Sequence, residues 1–158
     1  VAGFTIYTGA PPTPTSRRVR VAMMSVLPTN LSGSVHEMGA GFGTLALALA
    51  GRFPENPVIG HEISPVPWAV SRLFAAFARR SNLTLRWGNF RRAPLADAGL
   101  VVCYLHRTGM ARLKVKLEAE LAPGALVLTH TFAMPGWTPI AESRAADIYR
   151  SPVYLYRR

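Results

Sequence analysis

Apolar positions along this chain fall into short continuous runs separated by stripes of helical spacing. Val35 to Met38, Pro57 to Glu62, Leu83 to Trp87, Leu100 to Leu105 and Ala125 to Phe132 are short and bounded by turn residues, and they predict five strands. The fourth is apolar throughout, as a strand covered on both faces should be. Between the strands the period changes to 3.6. Val19, Ala22, Met23, Val26 and Leu27 share one face of a helix that Thr15 or Ser16 can cap. Helices are expected over Gly43 to Phe53, from Ser64-Pro65 to Arg80 with Trp68, Leu73, Phe74 and Phe77 buried, and over Met110 to Leu121. Tyr7 to Pro14 and Ala133 to Ala141 read as loops. The tail from Asp147 reads as one or two antiparallel strands closing a sheet edge. Five β–α alternations and a final strand pair predict an α/β fold: a doubly wound, Rossmann-like, mostly parallel sheet with helices on both faces.

With 158 residues, the chain is expected to form one domain, an N-terminal loop and helix over 1–32 leading into a core over 33–158. The single cysteine, Cys103, lies in an apolar strand, and the four histidines show no ligand spacing, so no metal site is expected. A reducing, cytoplasmic compartment fits. The chain opens at Val1, which leaves room for an upstream signal or membrane anchor. Sixteen arginines and two lysines against eight acids give a net charge of +10, a surface suited to nucleic acid, anionic lipid or an acidic protein face, or simply to solvation.

The richest chemistry lies at Glu37-Met38-Gly39-Ala40-Gly41-Phe42-Gly43, between the first strand and its helix. Glycines at such a turn permit positive φ and close backbone approach to a ligand. In the dinucleotide fingerprint the third glycine falls three residues after the second; here it falls two after. The leading carboxylate is awkward beside two phosphates and favourable beside a sulfonium and an ammonium. Glu62 ends the second strand, where a carboxylate accepts from ribose hydroxyls, with Ile63 following. Asn89 ends the third strand, where its oxygen can accept from an adenine amino group while Phe90 flanks the ring. Three strand ends aimed at one crevice point to S-adenosylmethionine, with Glu37, Gly39, Ala40, Gly41, Gly43, Glu62, Ile63, Asn89 and Phe90 holding it.

At these residues the chain resembles the class I S-adenosylmethionine-dependent methyltransferases. Gly9 to Thr15, Gly60 to Pro65, Met110 to Leu121 and Thr129 to Pro139 resemble one subgroup more closely. That subgroup contains the mitochondrial lysine methyltransferases of the ATP synthase c-subunit and of the adenine nucleotide translocase, with many small bacterial and archaeal relatives. The resemblance implies protein-lysine methylation, with Thr15 supporting the cofactor's methionine end and Pro14 at the substrate opening. Those two residues could equally only start a helix. The chain departs from the subgroup at Asn89, where an acid is usual, and at Thr131, Ala133 and Ile140, where acids are frequent.

Tyr104 ends the fourth strand and could orient an amine or serve as a core aromatic. His106 could act as a base or cap its loop, and His130 near the end of the fifth strand has the same two readings. Trp137 could wall the acceptor site or simply pack. A protein substrate is expected. Two alternatives stand beside it: methylation of RNA or phospholipid, favoured by the basic surface, and a cofactor-binding module without catalysis.

Overall fold

A computed structural model describes residues 14–158. The elements are α1 (Arg17–Val26), β1 (Ser34–Met38), α2 (Thr44–Arg52), β2 (Val58–Glu62), α3 (Pro65–Ala78), β3 (Leu83–Trp87), a short 3-10 turn (Phe90–Arg92), β4 (Ala98–Cys103), α4 (Arg107–Glu120), β5 (Leu126–His130), β6 (Ala141–Arg144) and β7 (Pro152–Arg157). The strands form one sheet in the order β3-β2-β1-β4-β5-β7-β6. The first five are parallel, and β7 runs antiparallel between β5 and β6. This is the expected doubly wound sheet with an antiparallel end. The order reverses at β1, so the crevice beyond the carboxyl ends of β1, β2 and β4 is where the topology opens for a ligand.

β1, β2 and β5 are buried along their whole length, as central strands with both faces covered should be. One apolar cluster joins α1 and α2 to one sheet face through Met23, Leu49, Phe53, Val35 and Leu128. A second joins α4 to the other face through Met110, Leu117, Val101, Val127 and Tyr156. Ser16 caps α1, its side chain accepting from Val19 N–H at 3.3 Å. Cys103 sits in the second cluster, its thiol pushed up to about 12 by burial, which leaves it chemically inert.

Two expectations change. The terminal hairpin begins before Asp147: β6 occupies Ala141–Arg144, a polar edge strand whose composition carries no strand signal. More consequentially, α3 does not bury its large residues. Leu73, Phe74 and Phe77 are exposed and Trp68 is half-buried; the buried positions are Pro67 and Ser71. The reason lies at Gly43. A Cβ there would come within 2.8 Å of Ser71 Cβ, so α3 crosses the start of α2 too closely for anything but small side chains. Its bulky stripe turns outward. The loop expected over Tyr7 to Pro14 lies, but for Pro14, outside the described residues.

Candidate active site

The glycine loop folds back onto β2. The amides of Gly39 and Ala40 both donate to the His61 carbonyl, at 2.9 and 2.8 Å. Gly39, Gly41 and Gly43 all have positive φ, at 87°, 53° and 78°. They do different work. Gly43 makes the close approach of α2 to α3. At Gly39 and Gly41 a Cβ would meet nothing within 4 Å, so the backbone there faces open space that a ligand can enter.

Two buried glutamates flank this loop and are held differently. Both oxygens of Glu62 are partnered: Oε2 accepts from Gly41 N–H and Oε1 from Ser64 N–H, both at 2.7 Å. It ties the loop to the start of α3, with its remaining lone pairs free. Glu37 is buried with Oε2 unpartnered. Burial holds its carboxyl well above the usual range; neighbouring Glu62 adds to this, and the Ala46 amide in the first turn of α2 pulls the other way. A buried carboxyl with an orphan oxygen beside an open glycine backbone is a place prepared for a cation.

The Ile63 carbonyl accepts from Trp87 Nε1 at 3.0 Å, and Trp87 stacks on Trp68 with centroids 5.8 Å apart. Gly88 N–H donates to the Glu62 carbonyl at 2.9 Å, which brings the turn after β3 beside Glu62. Asn89 stands in that turn, but its Oδ1 is used locally, accepting from Arg91 N–H at 3.0 Å as cap of the 3-10 turn. Phe90 is buried in the second cluster, so its ring belongs to the core rather than to the crevice.

A second group assembles at the carboxyl ends of β4 and β5. Because Met38 pairs with Cys103, the residues after β4 lie level with the glycine loop. A recess of about 160 Å³ is lined by Pro14, Thr15, Ser16, Val19, Tyr104, His130, Thr131 and Ser151. Tyr104 stacks on His130 with centroids 4.3 Å apart and lies 6.1 Å from Phe132. His106 is exposed at the N-cap of α4, makes no capping hydrogen bond and touches Phe132 edge-on. Thr131 holds a left-handed backbone, φ 68°, strained for a β-branched residue. Trp137 is not in the recess. Its indole donates to Glu118 Oε1 at 3.0 Å and packs edge-on against Tyr156, on the α4 side.

His130, for which the sequence left the same choice as for His106 between a base and a structural residue, lines this recess. Its Nε2 is buried and unpartnered, while Nδ1 meets Thr131 Oγ1 at 3.2 Å. Burial brings its imidazole down to about 4, opposed by Asp147, so it is neutral at physiological pH. A further pair had no sequence signal. His36 Nδ1 and His61 Nε2 meet at 3.0 Å across stacked rings, and His36 Nε2 reaches Ser34 Oγ at 3.0 Å. Both are buried; burial lowers His36 and brings His61 to about 4.

These three histidines predict an acid-labile fold. A folded-state value below the ordinary 6.5 gives stability that is present above 6.5 and lost as pH falls towards about 4. Glu37 acts in the opposite sense, but it is one group against three. Thermal melts should therefore lose several degrees in Tm per pH unit below about 6.5, since each extra proton taken up by the unfolded chain costs up to about 1.4 kcal/mol per unit. His61→Asn should flatten this slope by about one proton.

A switch-point crevice with an open glycine loop, a carboxylate at the end of β2 and an orphan carboxyl on β1 defines a class I S-adenosylmethionine-dependent methyltransferase. The residues fit the cofactor: cationic at sulfonium and ammonium, it matches the orphan Glu37 oxygen, and the free lone pairs of Glu62 match its ribose hydroxyls. Within that class, the chain belongs to the ANTKMT methyltransferase domain family, which matches over residues 37–141. It is 29% identical to a protein-lysine N-methyltransferase of Saccharolobus islandicus (strain REY15A), over 92% of each chain. It is 31% identical to the adenine nucleotide translocase lysine N-methyltransferase of Mus musculus across 69% of this chain, and it spans about half the length of that relative. Among solved structures, an RNA methyltransferase from Salinibacter ruber in complex with S-adenosyl-L-homocysteine superposes with a TM-score of 0.81 at 25% identity, covering 92% of this chain and 93% of that one.

Proposed function

We propose that this methyltransferase modifies a lysine side chain of a protein, and that the recess lined by Tyr104, His130 and Thr131 receives it. One observation carries the reading. In a chain with sixteen arginines, no arginine or lysine among the described residues lines the recess level with the glycine loop. A phosphate-bearing acceptor would be met by cations, whereas an ammonium group would be repelled by them. The names of the two protein relatives support the same substrate class.

S-adenosylmethionine supplies an activated methyl on a sulfonium, and the acceptor must arrive as a neutral nucleophile. Lysine has a reference value near 10.4, and an aromatic, uncharged recess favours its neutral form. Neutral His130 adds no positive charge opposite the sulfonium, and its orphan Nε2 offers a partner to an incoming amine. Tyr104 and Thr131 fix the approach, which is where most of the rate gain of such a displacement arises. Pro14 and Thr15 close the recess on the α1 side.

Labelled methyl should pass from the cofactor into lysines of native-lysate proteins, identified by mass spectrometry. Tyr104→Phe should lower kcat on the order of tenfold while leaving cofactor affinity unchanged. Label found only in RNA or lipid would overturn the lysine assignment.

A further inference from the structure

The outward stripe on α3 lies outside the site described above. Val66, Val70, Leu73 and Phe77 follow one another at helical spacing, and Phe74 widens the stripe. Val66, Leu73, Phe74, Phe77 and neighbouring Trp87 are 47% to 79% exposed. Pro67 and Ser71 are the buried positions of the helix and Trp68 reaches the Leu85 carbonyl of β3, so the rest of its apolar bulk faces out.

Charge around the stripe is one-sided. Residues 63–96 contain six arginines and no acid, in a chain with eight acids elsewhere. Arg72 lies over the Trp68 ring at 5.5 Å. Arg79 and Arg80 follow the helix end. Between α3 and edge strand β3 runs a groove of about 530 Å³, lined in part by Arg72, Arg79, Arg80 and Thr84. A second copy docking here would bring like charges together. A folded nucleic acid would satisfy the arginines but leave Val66, Leu73 and Phe77 in water. An apolar stripe flanked by arginines meets both requirements at once at the headgroup–acyl boundary of an anionic bilayer.

We propose that α3 and the α3–β3 groove form a docking surface for anionic lipid membranes. Phe77, Leu73 and Val66 enter the interfacial region, and Arg72, Arg79 and Arg80 take the headgroup phosphates. No spanning segment is needed, and no helix among the described residues is long and apolar enough to be one. Because α3 begins three residues after Glu62, with Val66 in its first turn, docking sets the rim of the cofactor crevice close to the lipid surface. The proposal is independent of the lysine assignment.

The test is flotation of the full chain with vesicles of phosphatidylcholine alone or mixed with phosphatidylglycerol. Partitioning should be about tenfold stronger on the anionic vesicles and should weaken with salt. The double variant Leu73→Ser/Phe77→Ser and the double variant Arg79→Gln/Arg80→Gln should each lose about tenfold in partitioning. Both change exposed residues, and unchanged Tm and cofactor affinity confirm that they fold. Equal binding to neutral and anionic vesicles, or variants that bind like the parent, would overturn the proposal. So would an RNA oligomer that binds more tightly than vesicles and is insensitive to Leu73→Ser/Phe77→Ser, or a solution dimer that Phe77→Ser splits.

Discussion

Replacing Glu62 by alanine lowers affinity for S-adenosylmethionine by on the order of 1–3 kcal/mol, which calorimetry reads as roughly a tenfold to hundredfold rise in Kd. Two losses combine. The amides of Gly41 and Ser64 lose their acceptor, and so do the ribose hydroxyls that Glu62 is proposed to bind. The loss at the amides reaches the free protein: with two amides unpaired, the glycine loop is no longer pinned to the start of α3, and Tm falls by several degrees. Glu62→Gln does not restore it. Its one oxygen can serve one amide, while its NH2 faces the other donor. Both substitutions should therefore destabilise the free protein and weaken cofactor binding. An unchanged Kd in Glu62→Ala would place the ribose elsewhere.

The candidate crevice was legible in the sequence because its signals are local. A glycine loop, the acid before it and the acids or amides at successive strand ends occupy defined places in a βαβ unit, and the sheet order brings those ends together. What escaped depends on close contacts between distant residues. The orientation of α3 follows from the Gly43–Ser71 approach; periodicity sees the stripe of Leu73 and Phe77 but not which way it turns. Phe90 and Trp137 have the composition of site residues, yet a large aromatic is equally suited to a core, and both are drawn into the α4 cluster. His36 and His61 are twenty-five residues apart and meet only because β1 and β2 are neighbours in register. His130 stands out only once its unpartnered nitrogen and stacked neighbour are seen together.

Glu37→Gln should move stability and affinity in opposite directions. In the free protein the Glu37 carboxyl is buried, faces Glu62 and leaves Oε2 unpartnered, so it holds its proton to a pH well above the ordinary 4.5. A raised folded-state value gives stability that is full below 4.5 and is lost as pH rises through the folded-state value. Glutamine has nearly the shape of the protonated acid and does not titrate. The variant should match the parent near pH 4.5 and exceed it increasingly as pH rises, by a few degrees in Tm at pH 8. Cofactor binding reverses the comparison. A cation brought to the orphan oxygen favours the carboxylate, so binding to the parent drives Glu37 to release its proton. Calorimetry in buffers of different ionisation enthalpy should detect up to one proton released by the parent and none by Glu37→Gln. Affinity of the variant should fall about tenfold or more, the scale of one lost hydrogen bond to a charged group. A variant that is both less stable and equally tight would mean that Glu37 supports the fold and takes no part in holding the cofactor. The predicted pairing, stability gained where binding is lost, is what a charge buried for a ligand produces: its desolvation cost falls on the free protein and is offset only when the ligand's positive charge arrives.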